Sequence, residues 1–326
     1  MDVLYASNDG FVMHLGTSLC SLLVNNRQAP SIAIHIFSIG LSEQNKQRLR
    51  GLAQAYDRQI CFYELGDLRE RFAMPIDTGG FDISIMGRLF MGELLPKNIN
   101  RVLYLDCDTV ILRSLGGLWH TKLEGKILGA VMEPTIYEAV RDSIDLGEEE
   151  PYFNSGVLLV DVRRWREEHV QEKLMSFLRD KGGKLFASDQ DLLNGTLKGR
   201  ILPLMPRYNF FTNYRYFHYR DMIRHAPWYA PVSRREWRRA KKHPVIVHFM
   251  GDERPWIAGN LNHYRGSYET YLAMTPWAGA PKEEGKRLYM LAYHVLDYVT
   301  AVCPRVRWEI SRRLGMKLVN ARRKKR

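Results

Sequence analysis

Short apolar stretches recur along this chain at intervals that helical patterns fill, and that alternation restricts the fold more than any single motif does. VLYAS (3–7), IAIHIFSIG (32–40), ICFYEL (60–65), VLYLD (102–106), ILGAVME (127–133), GVLLVDV (156–162) and VIVHFM (245–250) each have the length and composition of a buried strand. Between them, LSEQNKQRLRGLAQAY, SIMGRLFMGELL and DVRRWREEHVQEKLMSFLRD carry helical spacing, the first with Ser42 placed as its N-cap. Strand then helix, repeated, predicts an α/β fold with a mostly parallel sheet flanked by helices on both faces. Ligands of such sheets bind at the carboxyl ends of the strands. Two polar clusters fall at such ends: Ala6, Ser7 and Asn8 after the first strand, and Asp106 and Asp108 after the fourth.

A chain of 326 residues, 45% of them hydrophobic, is long enough to bury a sizeable core. No run of 18 uncharged apolar residues occurs, and MDVLYASNDG lacks the basic start and apolar middle of a secretory signal, so a cytoplasmic location is expected. Cys20, Cys61, Cys107 and Cys303 form no C-x-x-C pair, which argues against a zinc site or a disulfide framework. The net charge of +12 is concentrated at one end: residues 305–326 hold ten Lys or Arg against the single acid Glu309. A basic tail on a nearly neutral body points to an anionic surface contact and away from a specific nucleic-acid groove.

Residues 213–244, rich in Arg, Tyr, Trp and Pro, read as an irregular lid or acceptor-facing insertion. After about Pro276 the composition changes: WAGAPKEEG reads as a linker, KRLYMLAYHVLDYVTAVC as an apolar-rich helix, and the remainder as a basic segment. The expected division is therefore a catalytic domain over 1–275 and a helical, basic extension over 276–326.

RVLYLDCDTVIL (101–112) ends a buried strand on two like charges, Asp106 and Asp108, separated only by Cys107. Adjacent carboxylates repel, so a positive partner is expected between them. Hard carboxylate oxygens suit Mg or Mn, which commonly bridge protein to phosphate. Two chemistries share this motif. In haloacid dehalogenase-like phosphatases the first Asp is a nucleophile; in nucleotide-sugar glycosyltransferases both Asp hold a metal on a nucleoside diphosphate. A phosphatase motif usually opens its domain, whereas a hundred residues of strand and helix precede this one. A third, non-enzymatic reading is a glycan- or nucleotide-binding protein.

Seven ordered pieces separate these readings: VLYASNDGF (3–11), SIMGRLFMGELLP (84–96), RVLYLDCDTVIL with Leu118 and Trp119, YFNSGVLLVDVRRW (152–165), SDQDLLNG (188–195), RYNF (207–210) and VIVHFMGDERPW (245–256). Together, over residues 2 to about 265, they resemble family 8 of the retaining glycosyltransferases, and within it the bacterial lipopolysaccharide or lipooligosaccharide galactosyl- and glucosyltransferases. The resemblance implies a GT-A, Rossmann-like fold and a UDP-sugar donor. It implies Asp106, Asp108 and His248 as ligands of Mn, or of Mg, on the donor diphosphate. Gly251 and Arg254, in the loop after His248, would approach the phosphates; relatives often carry Lys where this chain has Arg254. Ala6, Ser7 and Asn8 would meet the uracil, with Asn8 standing where many relatives carry Asp. Cys107 lies between the two metal ligands, and Arg88 would reach the donor.

On the same resemblance Asn154, Ser155, Asp189 and Gln190 grip the sugar and line the reacting face, with Glu133 nearby. Asp191 reads as the N-cap of LLNGTL. Retention of configuration leaves two routes open: front-face attack beside Gln190, with the leaving phosphate taking the acceptor proton, or double displacement with Asp189 as nucleophile. UDP-galactose and UDP-glucose are both compatible donors, and a glycan or lipid-linked saccharide is the expected acceptor. The basic tail, with Trp308, reads as a peripheral anchor on the inner face of an anionic membrane.

Overall fold

A computed structural model of the chain describes residues 1–313 except 73, 135, 136, 253, 304, 311 and 312. Its strands are β1 (Asp2–Ser7), β2 (Ala33–Ser38), β3 (Gln59–Glu64), β4 (Arg101–Leu105), β5 (Thr109–Ile111), β6 (Leu128–Met132), β7 (Phe153–Asp161), β8 (Ile201–Pro203), β9 (Phe210–Phe211) and β10 (Ile246–His248). Seven of them form the central sheet in the order β3-β2-β1-β4-β7-β6-β8. β1, β2, β3 and β4 run parallel, as do β6 and β8, so the mostly parallel sheet is observed.

One strand departs from it: β7 is antiparallel to both β4 and β6. Strand direction is invisible in a run as uniformly apolar as GVLLVDV, because such a run is buried on both faces whichever way it points. VIVHFM supplies β10, which lies outside the main sheet, in a small sheet ordered β5-β10-β9. Its register sets His248 opposite Thr109, directly after Asp108, and Phe249 N–H donates to the Asp108 carbonyl at 3.0 Å. Two short strands thus carry the histidine to the aspartates across 140 residues of sequence.

Helices α1 (Val12–Asn25) and α2 (Glu43–Gln54) cover the parallel half, and Ser42 Oγ accepts from Asn45 N–H at 3.3 Å, the expected cap. SIMGRLFMGELL is a 3-10 helix over Ile83–Phe90 followed by one α-turn, Met91–Leu94. DVRRWREEHVQEKLMSFLRD divides into helices Val162–Glu167 and Val170–Asp180, with His169 between them at φ 52°. The region expected to be irregular contains helices Tyr219–His225 and Arg234–Lys242. Only Trp237 and Ala240 of the second are buried, three residues apart on one face, so its apolar stripe is short; Ser233 and Glu236 close a capping box at its start.

The C-terminal part packs back on the body. Trp277 lies so close to Gly16 of α1 that a Cβ there would fall 2.4 Å from its ring, and Glu283 pairs through its backbone with Trp256 and Ala258. Helix Arg287–Thr300 follows. Of the basic segment, residues 314–326 lie outside the described residues. Among the described residues no helix is long and apolar enough to cross a membrane.

Candidate active site

Asp106 leaves the end of β4 with its N–H bonded to the Gly156 carbonyl of β7 at 2.8 Å. Its Oδ1 accepts from Arg88 Nη2 at 2.7 Å and from Tyr104 Oη at 2.8 Å. Its Oδ2 faces His248 Nε2 at 3.9 Å, and Asp108 Oδ1 is 3.1 Å from that same nitrogen. One ligand atom from each of Asp106, Asp108 and His248 lies within 4.8 Å of the others. The sequence expectation that these three converge is met.

The imidazole is oriented from behind. His248 Nδ1 is 3.0 Å from Asn209 Oδ1, and Asn209 Nδ2 donates to Asn154 Oδ1 at 2.7 Å. Because the Asn209 amide nitrogen is committed, its oxygen must accept, so Nδ1 carries a proton and Nε2 is the atom turned toward the carboxylates. A partner on the remote nitrogen of a metal-binding imidazole fixes the ring in this way. Two carboxylates and one such nitrogen suit Mn or Mg. Burial works against a charge on His248, but Asp108 and then Asp106 outweigh it and raise its pKa; burial likewise opposes the Asp108 charge, and His248 and Arg254 outweigh it and lower its pKa.

β7 must come very close here. A Cβ on Gly156 would fall 2.3 Å from His248 Cε1 and 2.8 Å from Asp106 Oδ2, so only glycine fits. Gly156, Asn209 and Tyr104 were not picked out by sequence reasoning, although Gly156 and Asn209 stand inside the FNSG and RYNF motifs.

A second network lies beside the first. Gln190 Oε1 accepts from Asn154 Nδ2 at 2.9 Å and from Ser155 N–H at 3.1 Å, while its Nε2 donates to Glu133 Oε2 at 3.0 Å and sits 3.1 Å from Tyr152 Oη. Asn154 Nδ2 also reaches Glu133 at 3.2 Å. Burial raises the Glu133 pKa although both amides donate to it. Asp189 Oδ2 is 3.2 Å from Arg88 Nε. Burial raises Asp189 to about 6, Arg88 opposing and Asp106 reinforcing the shift. Arg88 is no solvated helix cation: it is 2% exposed, spans Asp106 and Asp189, and lies over the Tyr104 ring at 4.2 Å.

The helix that presents Asp189 and Gln190 spans Asp189–Thr196, and Ser188 before it is held at φ 46°, a conformation costly for a residue with a Cβ. Asp191 is corrected from N-cap to a position inside the first turn; it accepts from Tyr152 Oη at 2.5 Å and from Ala187 N–H at 2.6 Å.

The end of β1 closes the site. Cys107 Sγ donates to the Ala6 carbonyl at 3.4 Å, which ties the aspartate turn to Ala6. Ser7 is buried, its hydroxyl bonded to the Asn8 carbonyl, and Asn8 Oδ1 accepts from Phe11 N–H at 3.1 Å at the entry to α1. On the other side Gly251 takes φ 59°, and Arg254 Nη2 stands 4.0 Å from Asp108 with its guanidinium over the Trp256 ring at 5.7 Å. Arg254 Nε is buried with no hydrogen-bond partner among the described residues.

The model of glycosyl transferase family 8 matches residues 2–259. The chain belongs to glycosyltransferase family 8. It is 26% identical over 280 residues to general stress protein A of Bacillus subtilis, covering 85% of this chain and 94% of that one. It is 25% identical over 300 residues to lipopolysaccharide 1,2-glucosyltransferase of Escherichia coli K12, covering 88% and 82%. To lipopolysaccharide 1,3-galactosyltransferase of Salmonella typhimurium it is 26% identical, covering 85% and 79%. Among solved structures, the galactosyltransferase LgtC in complex with donor and acceptor sugar analogs superposes with a TM-score of 0.71 at 24% identity, covering 85% of this chain and 96% of that one. The protein is thus a glycosyltransferase with the GT-A fold, and the Asp106-Cys107-Asp108 turn is its D-x-D motif. Its family membership does not favour the phosphatase alternative.

Proposed function

We propose that the protein transfers galactose or glucose from a UDP-sugar, with retention and with Mn or Mg, to a glycan or lipid-linked saccharide in bacterial cell-surface polysaccharide synthesis. The observation that carries this reading is the convergence of Asp106, Asp108 and the Nε2 of His248. The lipopolysaccharide glucosyl- and galactosyltransferases among the relatives support this choice of substrate class.

A divalent cation bound by the three residues would supply the positive charge that a departing diphosphate needs. Arg254 shares that load from beside Asp108, and the positive φ of Gly251 lets the loop backbone come close to phosphate oxygens. Ala6 is hydrogen-bonded to Cys107 of the aspartate turn, and Ala6, Ser7 and Asn8 are assigned to the uracil. Arg88 neutralises Asp106 and Asp189 from the interior, so neither charge is left unpaired.

Gln190 has both ends fixed, its oxygen by Asn154 and Ser155 and its nitrogen by Glu133 and Tyr152, and so offers a rigid neutral amide to the sugar face. A neutral amide is a poor nucleophile, and Asp189 is buried against Arg88. Both facts favour front-face transfer: the bond from the anomeric carbon to phosphate breaks, the bond to the acceptor oxygen forms on the same face, and the departing phosphate oxygen takes the acceptor proton.

Purified protein incubated with a panel of UDP- and GDP-hexoses should release nucleoside diphosphate from one UDP-hexose. Hydrolysis of a phosphomonoester with no action on any nucleotide sugar would replace this reading with the phosphatase one.

The division into a catalytic domain (1–275) and a membrane-associating extension (276–326) belongs to the same proposal, with the enzyme cytoplasmic and peripheral at the inner membrane face. Helix Arg287–Thr300 supports it: the helix buries His294 against Leu261 of the body and Asp297 against Arg307, and exposes Leu288, Leu291, Val295 and Val299. Removing residues 305–326 should release the protein from anionic vesicles; unchanged binding would refute the anchor.

A further inference from the structure

The basic charge is not confined to the tail. Residues 207–242 hold ten Lys or Arg against two acids, so the rest of the chain outside this segment and the tail is net acidic. Helix Arg234–Lys242 carries six of these cations, and a cavity of about 550 Å³ lies along it, with Arg220, Arg234, Arg238 and Lys241 around it and Trp237 in its wall.

Its electrostatics are uncompensated. The acid in the lining, Asp221, is already paired with Arg305 at 2.7 Å. Arg220, Arg234 and Arg238 make no ion pair among the described residues, and the Lys241 ammonium donates only to the Phe217 carbonyl, at 3.0 Å. Burial, with Arg215 adding to it, lowers the Lys241 pKa, as expected of a cation without a counter-charge. Holding several like charges around one hollow is unfavourable unless an anion occupies it.

The C-terminal segment closes one rim. Arg305 reaches Asp221, and Trp308 stacks on His225 at 4.3 Å and packs on Phe217 at 4.8 Å. The segment that joins the cavity to the exposed apolar side of helix Arg287–Thr300 is therefore only a few residues long. Arg305 at the cavity and Arg307, paired with Asp297 of that helix at 2.6 Å, tie the two together. From Trp237 inward, the rings of Tyr214 and Phe211 lead to His248, at successive centroid distances of 5.2, 4.6 and 5.9 Å.

We propose that this cavity binds a phosphate group, carried by the lipid against which the enzyme works or by its acceptor saccharide. It is separate from the donor diphosphate site, its cations come from the body with Arg305 of the tail at the rim, and it rests on the membrane-facing reading above only for the lipid as source. Arginine forks and a lysine around an aromatic wall match a phosphomonoester, with the arginines as bidentate donors.

The test is co-sedimentation of the full-length protein with phosphatidylcholine vesicles with and without phosphatidic acid, comparing wild type with Arg234→Glu/Arg238→Glu. Both positions are exposed, so folding should be kept; Arg234→Gln/Arg238→Gln is a milder second variant. Reversal of two charges near the surface should weaken vesicle binding by roughly tenfold or more, and the Gln pair by several-fold. Glycerol 3-phosphate should compete with the vesicles, and donor hydrolysis should stay at the wild-type rate. If wild type binds glycerol 3-phosphate, the Glu pair does not, and neither binds vesicles, the phosphate comes from a soluble acceptor. Equal vesicle and glycerol 3-phosphate binding by wild type and both variants would overturn the proposal, even if tail removal abolished membrane binding. Loss of donor hydrolysis in the wild type would instead sink the catalytic reading and leave this site standing.

Discussion

Gly156 lets β7 pass within van der Waals contact of His248 and Asp106, and nothing larger fits there. Gly156→Ala should cost about 1–3 kcal/mol of stability from overpacking. It should also weaken Mn binding on the order of 10–100-fold by displacing the imidazole. Thermal melting and Mn titration followed by electron paramagnetic resonance measure the two effects separately. Retained Mn affinity would mean that the backbone yields and that the close approach has no bearing on the metal. The three residues proposed to hold the metal stand out in the sequence: two carboxylates at a strand end, and a histidine before a glycine loop, are residues whose chemistry is in their own side chains. Gly156, Asn209 and Tyr104 act through others, by leaving space or orienting a ring. Such roles depend on which strands meet, and spacing along the chain does not carry that information.

Among the elements, α1 is held to helix Arg265–Leu272 by His14, whose Nδ1 lies 2.7 Å from Tyr268 Oη and whose ring stacks on Trp256 at 3.8 Å. Burial lowers the His14 pKa from 6.5 to about 4, Asp108 opposing and Arg254 reinforcing the shift. The unfolded chain therefore binds this proton first as pH falls. The contribution of His14 is intact above pH 6.5 and is lost progressively down to about 4, amounting to about 3 kcal/mol. Urea unfolding across that range should show the loss in the wild type and a flatter profile in His14→Gln; parallel profiles would refute it. Strands and the Ser42 cap could be read directly because burial and capping are local. The antiparallel course of β7 could not, because direction is set by pairing with β4 and β6. Helix Arg234–Lys242 was missed because its apolar face consists of only Trp237 and Ala240 in a stretch otherwise made of charged residues.

At the scale of the whole molecule, charge is segregated. A basic segment around helix Arg234–Lys242 and a basic C-terminus stand against a remainder that is net acidic. Summed over everything before the tail, the two leave only +3, so a count over the whole body hides a basic segment that a count over residues 207–242 alone reveals. The candidate active site lies where the carboxyl ends of β1 and β4 meet the small β5-β10-β9 sheet. That meeting assembles three ligand atoms from positions 106, 108 and 248, and the catalytic account depends on their holding a divalent cation against a nucleoside diphosphate. The most direct test is hydrolysis of a UDP-hexose with and without Mn, in the wild type and in Asp108→Ala. The account predicts turnover that requires Mn and disappears in Asp108→Ala. Turnover that persists after metal removal, or that survives Asp108→Ala undiminished, would contradict it.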